Sequence, residues 1–224
     1  MSLTDYHFEW MDKDSRFFIS SGYLQPGETP ESRARHIAQT VEDIISEPGY
    51  AKSFMEVAEM NAFSMASPFW SNMGRPNGLP ISCNGSYFPD TMHGILNKTT
   101  EVGMMTKYGA GTSGLFSDIR ARGAPITGGW NADGPVHFMG FPQTAVELTA
   151  QGPVRRGAFA AYLSIDSPDI KEFLKIRSEG HPIQHLSFGV VIPDLWWSQM
   201  KNERHEDKLE NWARILQKRS ETGY

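Results

Sequence analysis

Between Thr29 and Ile44 the apolar residues Ala34, Ile37, Ala38, Val41 and Ile44 recur at the spacing of one helical face, and the segment opens with Thr29-Pro30, a capping residue followed by proline at the first helical position. The pattern predicts a helix that ends before Pro48-Gly49, then a second helical segment from Lys52 to Met60. Ahead of it, residues 1–26 mix aromatic and charged positions (Tyr6, Phe8, Trp10, Phe17, Phe18, Tyr23), which predicts short helical pieces packed on the main body. The run from Met60 to Trp70 is rich in Met, Phe and Trp and reads as core. From Ser67 the texture changes to Gly, Pro and Asn interleaved with short apolar segments, so a domain boundary is placed near residue 60, between a helical domain over 1–60 and a second domain over 61–224.

In the second domain the period alternates. Strands are predicted over 81–87, 115–120, 158–165 and 186–192. Helices are predicted over 90–108, where Met92, Ile95, Leu96, Thr99, Val102 and Met105 or Thr106 share a face, over 141–150, from Ser167-Pro168-Asp169 through Arg177, and over 207–220. Glycine-rich loops, Gly109 to Gly114 and Gly123 to Gly129, separate them. Strand and helix in alternation indicate an α/β fold with a mainly parallel sheet. Four or five strands with an open parallel edge are an incomplete sheet, because parallel strands are normally covered on both faces and paired at their edges, and something else is expected to finish it.

Composition narrows the function. The chain has 224 residues, 39% hydrophobic and 21% charged, enough for one large or two small domains with a real core. A net charge of −5 with no clustered Lys/Arg surface excludes nonspecific nucleic-acid binding and leaves small molecules and proteins as partners. Apolar runs such as Phe188 to Ile192 are too short for a membrane span, and no signal core opens the chain, so a cytoplasmic location is expected.

One cysteine, Cys83, excludes an internal disulfide and a thiolate-rich metal site. It is either a buried small hydrophobe or a thiol whose chemical partner lies on another chain. His181 and His185 stand four apart, but Pro182 between them disrupts helical pairing, so no metal site is assigned. Gly109 to Gly114 fits neither the dinucleotide fingerprint nor a P-loop, which would need a following helix or a Lys-Ser/Thr pair. Gln151 to Gly157 holds two arginines among glycines and suits either an anion-binding segment or a surface turn; Arg120 and Arg122 admit the same two readings. Asp90-Thr91, at the start of the 90–108 helix, either cap it or accept hydrogen bonds from a ribose or base.

Together, Ser67-Pro68 with Ser82-Cys83, Gly109 to Arg120, Arg120 to Gly129, and Gln151 to Leu163 resemble the large, catalytic subunit of class I ribonucleotide reductase, in a form like those of phages and some bacteria. Trp10 to Thr29 is similar to the opening of that subunit's helical domain. The resemblance implies a helical domain followed by the first half, about five parallel strands, of a ten-stranded α/β barrel that is incomplete in this chain. It implies that Cys83 is the first of two cysteines that oxidise to a disulfide as the 2′-OH of a ribonucleotide is replaced by hydrogen. Ser67 and Ser82 would contact substrate phosphate and sugar, and the Gly111 backbone would approach the ribose. Asp90, Thr91, Arg120, Arg122 and Thr127 would hold a specificity effector, a dNTP or ATP with Mg2+, and Gln151 and Arg155 would relay its identity to the substrate.

The implied partners are a complementary chain carrying the rest of the barrel, a small subunit with a dimetal–tyrosyl radical, a dithiol reductant of the thioredoxin or glutaredoxin type, the ribonucleoside diphosphate, and a second copy of this chain bound through helices 90–108 and 141–150. No ATP-cone domain is visible ahead of Cys83. The family's radical cysteine, second redox cysteine and radical-transfer tyrosines would lie beyond Tyr224, so the chain alone is expected to be inert and to act as the N-terminal portion of a split subunit. A truncated, non-catalytic protein that binds nucleotide and dimerises is the alternative.

Overall fold

A computed structural model of the chain describes residues 2–149, 157–202 and 205–223. The chain divides into two compact units, Met1–Ser82 and Cys83–Tyr224.

The first unit is helical: α1 (Lys13–Gly22), α2 (Pro30–Ile45), α3 (Tyr50–Glu59) and α4 (Ser67–Asn72). Asp12 caps α1 by accepting the Ser15 N–H at 2.7 Å. Thr29 and Ser32 cap α2 reciprocally, at 3.1 and 2.9 Å, with Pro30 at its first position as the sequence predicts. The apolar stripe of α2, Ala34, Ile37 and Ala38, packs into a core with Tyr6, Phe8, Met55 and Trp70. Each such side chain of Ile or Phe size contributes about 1.5–3 kcal/mol when fully buried. Burial alone would raise the Glu31 pKa, but hydrogen bonds from Arg16 and from the Phe8 amide outweigh it and hold the carboxyl at about 2.

Arg33 is one reason that the division does not fall near residue 60. Its side chain leaves α2 fully buried and donates from Nε to the Trp70 carbonyl at 2.7 Å and from Nη2 to the Met73 carbonyl at 2.6 Å. These are carbonyls at the C-terminal end of α4, which a cation satisfies well. Burial lowers the Arg33 pKa to about 10, so the group stays charged at neutral pH. The segment expected to begin the second domain is thereby tied to the helical unit.

The second unit runs β1 (Cys83–Tyr87), α5 (Met92–Lys107), β2 (Gly111–Leu115), α6 (Pro135–Phe138), α7 (Gly140–Thr149), β3 (Phe159–Ser164), α8 (Ile170–Phe173), β4 (Ser187–Val191), α9 (Asp194–Asn202) and α10 (Glu206–Thr222). Its four strands lie in the order β1-β2-β3-β4, all parallel. Among the described residues β1 and β4 each pair on one side only, so the sheet is an open fragment of four strands where about five were expected.

Two elements depart most from their predicted spans, and α6 and α9 lie where no helix is predicted. β2 lies on Gly111–Leu115, not on 115–120. Glycine suits this strand because its covered face is crowded: a Cβ on Gly114 would stand 2.5 Å from Phe88 Cε2 and 2.7 Å from Phe159 Cζ. The helix expected from 167 to 177 is the single turn α8, followed by tight turns that put Arg177 at φ 64°.

On the covered face Phe88 and Phe116 stack at 4.3 Å between ring centroids, with Phe159 edge-on to both. Ile95 and Val102 of α5 and Val146 of α7 belong to the same core. Residues paired in a parallel register share a face. The other face therefore carries Cys83 beside Gly111, then Gly85, Ser113, Ala160 and Ser187, then Tyr87, Leu115, Tyr162 and Gly189. These positions are exposed or half-buried.

Candidate functional site

The site forms where β1 and β2 leave the sheet. The ladder continues one residue past each strand, with Phe88 N–H donating to the Leu115 carbonyl at 3.0 Å and Phe116 N–H to the Tyr162 carbonyl at 2.9 Å. Beyond these anchored rings the chains separate and leave half-buried Asp90 and exposed Thr91 on one side and exposed Asp118 and Arg120, flanking the buried Ile119, on the other. Thr91 caps α5 by accepting the Gly94 N–H at 3.1 Å. Asp90 takes no cap role: its carboxylate accepts from Arg120 Nε at 2.8 Å and from the Arg120 amide at 3.2 Å. Sequence positions thirty apart thus form one charged pair.

The loop after Arg120 folds back on itself. Gly123 N–H donates to Ala132 and Ala132 N–H to Ala124, both at 2.8 Å, and Ile126 N–H donates to Trp130 at 2.9 Å. Gly128 and Gly129 take φ of 94° and 82° at the tip, a conformation that glycine adopts without strain. Between this loop, the start of α5 and α6–α7 lies a cavity of about 540 Å³, lined by Asp90, Thr91, Arg120, Thr127, Phe138 and Phe141 among others. An arginine, two carboxylates (Asp90 and Asp133), two threonine hydroxyls and aromatic rings around such a volume match the chemistry of a nucleotide: guanidinium for phosphate, polar oxygens for ribose, rings for a base.

Arg122, expected beside Arg120, points elsewhere. Its Nε and Nη2 form a two-pronged pair with Glu172 at 2.9 and 2.8 Å, and its amide donates to Asp169 at 3.0 Å. The hydrogen bonds to Glu172 hold its pKa above the ordinary arginine value. Arg122 anchors the loop to α8 and lines a separate cavity with Glu172, His137 and His181. Gln151 and Arg155 lie outside the described residues.

Cys83 is exposed at the first position of β1, paired in register with Gly111 on β2. Ser82 directly precedes it, and Ser67 opens α4 in the helical unit. The structure thus brings together Cys83 with Gly111, and Asp90, Thr91 and Thr127 with Arg120. On β1 the same face carries Cys83 at one end and Tyr87 at the other, about 13 Å apart at strand rise. Tyr87 was not singled out from the sequence, nor was Asp118, which accepts its hydroxyl at 2.8 Å. The available signal was the alternation from Cys83 through Gly85 to Tyr87, which places all three on one face.

Among the described residues no helix is long and apolar enough to cross a membrane. A family model of the ribonucleotide reductase barrel domain matches residues 81–215. The chain is 29% identical over 196 residues to the ribonucleoside-diphosphate reductase subunit alpha of Treponema pallidum, spanning 84% of this chain and 23% of that protein. It is 37% identical over 117 residues to the vitamin B12-dependent ribonucleotide reductase of Streptomyces avermitilis, spanning 51% of this chain and 12% of that one. The solved structure of the class Id ribonucleotide reductase alpha subunit of Actinobacillus ureae superposes with a TM-score of 0.87 at 42% identity, over 98% of this chain and 40% of that chain. The chain therefore spans less than half the length of each of these relatives.

Proposed function

Because this chain belongs to the ribonucleotide reductase family through its barrel domain, we propose that it serves as the N-terminal portion of a ribonucleoside-diphosphate reductase large subunit in the cytoplasm, supplying one redox thiol, part of the substrate site and the specificity site. The observation that carries the reading is the placement on one strand of an exposed thiol, Cys83, and, three residues past the strand's end, of Asp90 paired with Arg120 over a nucleotide-sized cavity.

In this reading a ribonucleoside diphosphate and two thiols give the 2′-deoxynucleotide, water and a disulfide: the thiols supply two electrons and two protons, and the 2′-OH leaves as water. Cys83 is one thiol. The other thiol would come from the rest of the barrel, and the radical from the small subunit. Gly111 beside Cys83 lets the backbone come near the sugar, and Ser67 and Ser82 hold phosphate and sugar. Asp90, Thr91 and Thr127 recognise the effector's base and ribose, Arg120 its phosphates, and Arg122 keeps the loop in place. Gln151 and Arg155 relay effector identity.

Dimerisation is part of the proposal. Met92, Leu96, Met104 and Tyr108 form an exposed stripe along α5, and Phe141 and Leu148 extend it on α7. The two helices pack closely, with Gly103 against Ala145 and Thr149. A second copy would bury this stripe beside the effector cavity.

The test is reduction of a ribonucleoside diphosphate by the assembled enzyme with effector and dithiol reductant. Cys83→Ser should abolish dithiol-driven turnover and leave dTTP binding intact. Undiminished turnover in that variant, or none in the unmutated assembly, refutes the proposal.

A further inference from the structure

Two carboxylates and one guanidinium meet at the exits of β1 and β2, and their pairing is not arbitrary. Asp118 stands two residues before Arg120 on the same exit, yet Arg120 gives both its amide and Nε to Asp90. Asp118 instead accepts the Tyr87 hydroxyl at 2.8 Å. The four groups form one cluster: the hydrogen bond to Asp118 foremost, with the charges of Asp118 and Asp90, holds the Tyr87 phenol above its ordinary pKa. Asp118 and Arg120 are both exposed, so packing does not dictate which carboxylate the guanidinium meets. The cross-links do: Tyr87 to Asp118 and Asp90 to Arg120, each joining β1's exit to β2's.

A phenol suits this position. It satisfies a carboxylate as a neutral donor, without adding a second cation that would itself compete for phosphate. Without that hydroxyl, Asp118, two residues from Arg120 on the same exit, would be released to turn toward its guanidinium and would bring a negative charge toward the place where phosphates bind.

We propose that Tyr87 is a positioning residue for the nucleoside triphosphate site, holding Asp118 away from Arg120 so that the guanidinium stays available to Asp90 and to phosphate. The inference rests on the reading that the Asp90–Arg120 cavity takes a nucleoside triphosphate. Calorimetric titration of the full chain with dTTP tests both. Arg120→Ala tests the underlying reading: if the unmutated chain does not bind dTTP, or binds it no better than this variant, that reading and the inference both fall.

If that control behaves as expected, Tyr87→Phe should weaken binding about fivefold, because the released Asp118 carboxylate then competes with phosphate for the Arg120 guanidinium. Asp118→Asn added to Tyr87→Phe should restore the affinity, because the competing charge is gone. A role limited to bracing the two strands makes the opposite forecast, since the double variant lacks the brace and stays as weak as the single one. Unchanged affinity in Tyr87→Phe, or no recovery in the double variant, overturns the proposal while leaving the nucleotide site standing. Circular dichroism melts of each variant separate these outcomes from misfolding.

Discussion

The two faces of one four-stranded sheet differ in almost every physical respect. The covered face carries Phe159, Ala161 and Leu163 from β3, with Phe88 and Phe116 just past the strand ends, all fully buried. The opposite face carries Cys83, Gly85, Gly111, Ser113, Ala160, Ser187 and Gly189, small side chains or none, over most of its area. One face is built from volume and the other from access. Burial on the first stabilises the unit; on the second, small residues let other atoms approach the backbone and the one thiol.

That contrast can be broken by substitution. Phe159→Ala should cost about 3–5 kcal/mol in urea unfolding, the range for removing a large aromatic from a packed core. A loss near zero would mean that the covered face is not the core. Gly114→Ala should cost about 1–3 kcal/mol, because its Cβ would press on the buried rings of Phe88 and Phe159. The matched change on the other face, Gly85→Ala, meets only Ser113 Oγ at 3.7 Å and should stay within about 0.5 kcal/mol of the unmutated chain. Equal costs at the two glycines would erase the distinction between the faces. Smallest of all, Cys83→Ser should leave the unfolding midpoint unchanged, since the exposed thiol contributes little to packing.

Arg120 and Arg122 repeat the contrast at the scale of one loop. They are separated by one alanine and look equivalent in the sequence, yet Arg120 lines the cavity with Asp90 while Arg122 clamps Glu172. Their acceptors lie 30 and 50 positions away in the chain. No local pattern ranks such partners. The same limit hid the β2 strand: Gly-Thr-Ser-Gly has low strand propensity and reads as a loop, and the rings that demand a glycine there arrive from Phe88 and Phe159. Likewise the change of texture after residue 60 reads as a boundary, whereas Arg33 ties α4 to the helical unit through carbonyls at positions 70 and 73.

What was legible locally was legible for a physical reason. The α2 face, its Thr29-Pro30 start and the long α5 helix follow from periodicity and capping, which act over three or four residues. Cys83 as the lone thiol at a strand, and the alternation of strand and helix after it, were likewise determined by the sequence alone. Which residues of the neighbouring strands lie beside Cys83, which arginine meets Asp90 and where Asp118 finds its donor were decided only in the tertiary structure, because register and charge pairing depend on groups that the chain brings together from far apart.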